Sequence, residues 1–73
     1  MRKKIKDCLT KREYEVLKYV TKGLTNKEIA SKMSITYHTV KAHVAAIIKK
    51  AGVKNRLDAA MVYAVNANIK SKN

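Results

Sequence analysis

Apolar residues recur along this chain at spacings of three and four. Val16, Leu17, Val20 and Leu24 form one set, Ile29, Ala30 and Met33 a second, and Val40, Val44, Ile47, Ile48 and Ala51 a third. Such spacing gathers side chains on one stripe of a helix and turns that stripe toward a core. Each set is preceded by a start signal. Thr10 with Glu13 and Thr25 with Glu28 have the spacing of capping boxes, in which a hydroxyl and a carboxylate three residues apart satisfy each other's free amides. Leu9 with Tyr14 and Leu24 with Ile29 stand at the flanking staple positions. Thr36 reads as a third cap, stapled by Ile35 and Val40, and Asn55 with Asp58 as the start of a fourth helix. The stops are Gly23, the break at Ser34, and Gly52, glycine being suited to the left-handed residue that closes a helix. The expectation is an all-α domain of four helices, the second only about two turns long.

The second and third helices are joined by so few residues that they must cross at a large angle, and Ala30 is small enough to let their backbones approach. This is helix-turn-helix spacing, over about residues 25–44. Turned by about 100° per residue, helix 3 places His38, Lys41, Ala42, Ala45 and Lys49 opposite its apolar stripe, with no acid among them. A nucleic-acid groove is negative and close, so a helix entering it needs cations at its margins and small side chains where it meets base edges. Lys41 can donate to guanine, and the methyls of Ala42 and Ala45 can meet a thymine methyl. Helix 4 is different: from Leu57 to Val65 it is almost wholly apolar, more than one core-facing stripe requires. Met61, Val62 and Val65 are therefore expected to meet a second copy, against the simpler alternative that Met61, Tyr63 and Val65 only close a small core.

Composition narrows the function. With 73 residues the chain is one domain, and a domain of this size buries only about 60% of its unfolded surface. Its 17 Lys and Arg against 5 Asp and Glu leave a formal charge of +12, which suits a polyanionic partner. No apolar run approaches the roughly 20 residues of a membrane span, and the N-terminus has no apolar region behind its charges, so the cytoplasm is expected. Cys8 is alone, and with His38 and His43 it falls short of the four ligands of a structural zinc site, so no metal or cofactor is expected. His43 reads as a packing histidine at the core edge. No Ser, His and acid set converges, and Glu13, Glu15, Glu28 and Asp58 suit caps and helix surfaces, so the chain does not read as an enzyme. Without Phe or Trp, and with its four Tyr scattered, it offers no stacking platform for RNA. Residues 1–8 read as a flexible basic arm, and residues 66–73 as a fraying basic end, of which 70–73 form the tail.

The run of Leu9–Leu17, the segment GLTNKEIA at Gly23–Ala30, TVKAHV at Thr39–Val44 and GVKNR at Gly52–Arg56 resemble, in order and distance, the LuxR/GerE-type helix-turn-helix domain of bacterial transcription regulators. The resemblance covers nearly the whole chain and sets the domain at residues 9–69. It implies a tri-helical core plus a C-terminal dimerisation helix, with helix 3 reading the major groove. It also implies phosphate contacts from Thr25, Asn26 and Lys27 at the start of helix 2, where helix amides favour anions, and from Thr36 and Thr39 at the start of helix 3. Lys49, Lys54 and Arg56 are expected beside the DNA backbone, with Lys41, Ala42, Ala45 and His38 toward the bases. The chain departs from the family where it carries Lys11 for Pro, Ser34 for Gly, Ala51 for Leu, and Tyr37 for an acidic residue. A left-handed Ser34 costs about 1 kcal/mol relative to Gly.

The function expected is sequence-specific binding of double-stranded DNA for transcription regulation, as a dimer on an inverted repeat. The alternative is a module resembling sigma region 4, or an adaptor, that docks on RNA polymerase through helix 4. The opening Met and complete domain boundaries favour a small standalone regulator over an excised C-terminal domain.

Overall fold

The computed structural model describes the backbone of residues 8–72 and the side chains of residues 8–65. The basic arm thus lies, apart from Cys8, outside the described residues. Four helices follow one another: α1 Lys11–Thr21, α2 Asn26–Met33, α3 Tyr37–Ala51 and α4 Arg56–Lys72, with no strand among the described residues.

The start signals act as their spacing predicts. Thr10 Oγ1 accepts from the Glu13 amide at 3.1 Å while Glu13 Oε1 accepts from the Thr10 amide at 3.0 Å. Thr25 and Glu28 repeat the exchange at 3.2 and 2.7 Å. Thr36 caps α3 through the Thr39 amide at 3.1 Å. At Asn55 the cap is one-way, Oδ1 accepting from the Asp58 amide at 2.9 Å. The helix ends are equally regular. Gly23, Ser34 and Gly52 all have positive φ. The next amide in each case reaches back to a carbonyl five residues earlier: Leu24 to Tyr19, Ile35 to Ala30 and Val53 to Ile48, at 3.3, 3.0 and 3.2 Å. These bonds satisfy carbonyls that the last turn leaves free. Leu24, Ile35 and Val53 then pack against the core. In Gly23-Leu24-Thr25 and Ser34-Ile35-Thr36 the same three steps recur: a left-handed residue stops one helix, an apolar residue anchors the link, and a threonine starts the next helix. Ser34 sits at φ 56°, ψ 44°, a conformation in which its Cβ crowds the following carbonyl. Ser34→Gly is expected to raise stability by about 1 kcal/mol, read as a higher denaturant midpoint at unchanged m-value.

The core joins Val16, Leu17 and Val20 of α1, Ile29 and Met33 of α2, Val40 and Ile47 of α3, and Ala59 of α4, all buried. Val44, Ile48 and Ala51 are only half-buried, on the flank of the stripe. α1 lies across both α3 and α4, and α2 packs on α3. α1 is also tied to α3 by an ion pair: Lys50 Nζ donates to the buried Glu13 Oε1 at 2.8 Å. Burial raises the Glu13 pKa, but the hydrogen bonds from Lys50 and the Thr10 amide and the charge of Lys50 outweigh it, so the carboxyl is held below its ordinary range. A carboxyl more acidic in the folded than in the unfolded chain contributes stability above its unfolded pKa and loses it as pH falls through the folded one. Acid titration of the folded domain should therefore show a loss of stability below about pH 4.3, shallower in Glu13→Gln.

α4 bears on two expectations. Its backbone is helical to Lys72, whereas fraying from residue 66 was expected. The segment has neither Gly nor Pro to stop it, and lysines suit the negative end of a helix. Second, its apolar residues divide. Tyr63 turns inward and packs on Tyr14, ring centroids 5.3 Å apart, and Val62 packs against the core. Met61 and Val65 are exposed, together with Leu57, at spacings of four on one face.

Candidate nucleic-acid interface

The outward face of α3 is as the helical period predicts: His38, Lys41, Ala42, Ala45 and Lys49 are all exposed, opposite the buried Val40 and Ile47. His43 lies at the half-buried flank. The first turn of α3 contains no acid. Among the described residues the ion pairs are Lys50 with Glu13 and Arg12 with Glu15, so Lys27, Lys41, Lys49 and Lys54 have no acidic partner among those residues. Lys49 stands two turns beyond Lys41, about 12 Å along the axis, and Lys54 is exposed in the link to α4.

Two helix starts and the start of α4 converge beside this face. Gly23, Leu24, Thr25, Asn26, Lys27, Tyr37 and Arg56 line an open concavity of about 670 Å³. Thr25 and Lys27 are exposed at its edge. Asn26 and Arg56, both half-buried, turn to each other: Arg56 Nη1 donates to Asn26 Oδ1, and Nη2 donates to the Leu24 carbonyl at 2.9 Å. Arg56 thus clamps the start of α4 to the link between α1 and α2, and fixes how α2 presents its first amides. At α3 the exposed Thr36 hydroxyl lies 2.8 Å from that of the half-buried Thr39, so both are held at the helix start. Free amides and a positive helix end at these two starts suit an anion such as phosphate.

With this geometry in place, comparison with known families is decisive. A family model described as bacterial regulatory proteins, luxR family, matches residues 7–63. The chain belongs to the luxR family. It is 43% identical over 68 residues to the response regulator protein VraR of Staphylococcus aureus, and equally so to the VraR proteins of Staphylococcus saprophyticus and Staphylococcus epidermidis. The alignments cover 93% of this chain and 32% of each relative. The chain therefore spans about a third of the length of the curated relatives it matches. No helix among its described residues is long and apolar enough to cross a membrane.

Three features of this luxR-family chain lay outside the sequence reading. The clamp between Arg56 and Asn26 joins residues 30 apart and left no periodic trace. Leu57, the most exposed of the large apolar residues at 69%, precedes Met61 by one helical turn, a spacing that could have found it. Tyr37, expected at the groove end of α3 where its departure from the family pattern affects reading, also lines the concavity and places its ring 6.0 Å from Lys41 Nζ.

Proposed function

We propose that the chain is a sequence-specific double-stranded DNA-binding regulator of transcription that sets α3 in the major groove. The observation that carries this reading is the exposed, acid-free face of α3, with Lys41 between small side chains and two capped helix starts beside it. In this reading Lys41, Ala42, Ala45 and His38 meet base edges. Thr25, Lys27, Thr36, Thr39, Lys49 and Lys54 hold phosphates, and Asn26 and Arg56 contribute by orienting the α2 start as well as by their own contacts. Phosphate contacts make binding steep in salt, log K falling with log salt at a slope of about 0.9 per phosphate neutralised.

Dimerisation is part of the proposal. Leu57, Met61 and Val65 form an exposed apolar stripe on α4, and two copies meeting there present two reading helices to an inverted repeat with half-sites about one helical turn apart. Val62, being packed against the core, lends its bulk to the base of that stripe. The same stripe would serve docking on RNA polymerase. Selection from random duplexes tests the whole: one enriched motif, repeated in inverted orientation, is the expected result, and no enriched motif would sink the claim of specific reading. Sedimentation with the selected duplex separates the occupants of α4, since a monomer retained on polymerase without DNA replaces the dimer.

A further inference from the structure

We propose that Tyr37 is a positioning residue for Lys41 and thereby a determinant of sequence specificity; this rests on the reading of α3 as the groove helix. Long side chains on a helix lean toward its N-terminus, so the neighbours open to Lys41 are those one turn earlier. One turn later stand Val44 and Ala45, and beside it Ala42, none with a polar atom beyond the backbone. One turn earlier stands Tyr37, exposed at 43%, with the Lys41 ammonium 6.0 Å from its ring centroid. That is the outer range of a cation–π contact.

The ring is itself held. His38 packs against it at 5.8 Å between centroids with the planes at 76°, an edge-to-face arrangement. Its backbone is the first residue of a helix fixed by the Thr36 cap. His38, Tyr37 and Lys41 thus form a row across the leading end of the reading face. The ring attracts the ammonium without neutralising it, whereas a carboxylate at this position would pair with Lys41 one turn on and compete with the DNA's own anions. A lysine on a four-carbon stem samples many rotamers. Restricting it to those that lie over Tyr37 lowers the ordering cost of a base contact and favours one base over its alternatives.

The test compares Tyr37→Ala and Tyr37→Phe with the wild-type chain, on the selected duplex and on duplexes changed at the base pair that Lys41→Ala leaves undiscriminated. Tyr37→Ala is expected to lose roughly 2- to 5-fold of the preference at that pair, the weight of an exposed cation–π contact, with the salt slope unchanged; Tyr37→Phe should keep both. Without DNA, proton NMR should show the Lys41 side-chain methylenes shifted upfield by the ring, the shift lost in Tyr37→Ala and kept in Tyr37→Phe. An unchanged preference in Tyr37→Ala, or unchanged Lys41 resonances, overturns the proposal. So does a uniform weakening on all duplexes with a shallower salt slope shared by Tyr37→Phe, which would make the hydroxyl a phosphate contact. A wild-type chain that prefers no sequence defeats the DNA-reading function itself, and is told apart from these outcomes because it appears before any variant is made.

Discussion

Replacing Ile47 with Ala is expected to destabilise the domain by about 2–5 kcal/mol, and so to leave a large fraction unfolded near 37 °C. Ile47 is 1% exposed and sits on the back of α3, one turn above the half-buried Val44 and directly opposite the reading face. Together with Leu17, Val20, Val44, Ile48, Arg56 and Ala59 it lines a crevice too narrow for a water molecule. Truncation removes both the burial of the side chain and the contacts its neighbours make with it, and a void of this kind stays empty because its lining is apolar. A domain this small has about 4–11 kcal/mol of stability in all, so the loss is a large share. Thermal unfolding should move down by roughly 10–30 °C, against a much smaller shift for Ile47→Val, which deletes one methylene. Binding should weaken only through the unfolded fraction. The selected duplex in excess should accordingly restore the folded signal by mass action, while base preference remains that of the wild type. A variant that kept its melting temperature but lost preference would show that Ile47 shapes the reading face rather than supports it.

That prediction depends on the part of the molecule most legible in the sequence. Helix starts were readable because Thr10, Thr25, Thr36 and Asn55 act on amides two or three residues away, and such bonds are written in local spacing. The stops at Gly23 and Gly52 were readable for the same reason, and Ser34 because the staple residues around it left no other place for the turn. The exposed face of α3 followed from the period alone. Contacts that cross the fold were a different matter. Nothing local says that Lys50 reaches Glu13, 37 residues earlier, or that Arg56 reaches Asn26. The pairing of Tyr14 with Tyr63 divides α4 into an inward and an outward side, and without it the run from Leu57 to Val65 reads as apolar all round. The helical far end of α4 was not legible because residues 66–72 hold few apolar positions, although they also hold no Gly or Pro that would end a helix.

Lys41→Ala carries the sharper functional consequence. In the proposed complex its ammonium donates to the N7 and O6 edge of guanine, and a good contact of that type is worth about 1–3 kcal/mol of discrimination, or about 5- to 150-fold. Removing the side chain should flatten preference at one base pair in each half-site and leave the other positions of the motif intact. Lys27 provides the contrast. It is exposed at the start of α2, where the proposed complex sets a phosphate against the helix amides. Lys27→Ala should weaken all duplexes alike and lower the salt slope by about 0.9, the signature of one lost phosphate contact. Both residues are exposed and outside any ion pair of the described residues, so neither change should move stability by more than about 0.5 kcal/mol, and melting curves provide the control. Binding measured on the selected duplex and its single-base variants, at two salt concentrations, separates the two effects in one data set. If Lys41→Ala instead weakened every duplex equally and lowered the slope, Lys41 would hold the backbone, and the burden of reading would pass to the methyl groups of Ala42 and Ala45, whose thymine contacts uracil-substituted duplexes would then expose.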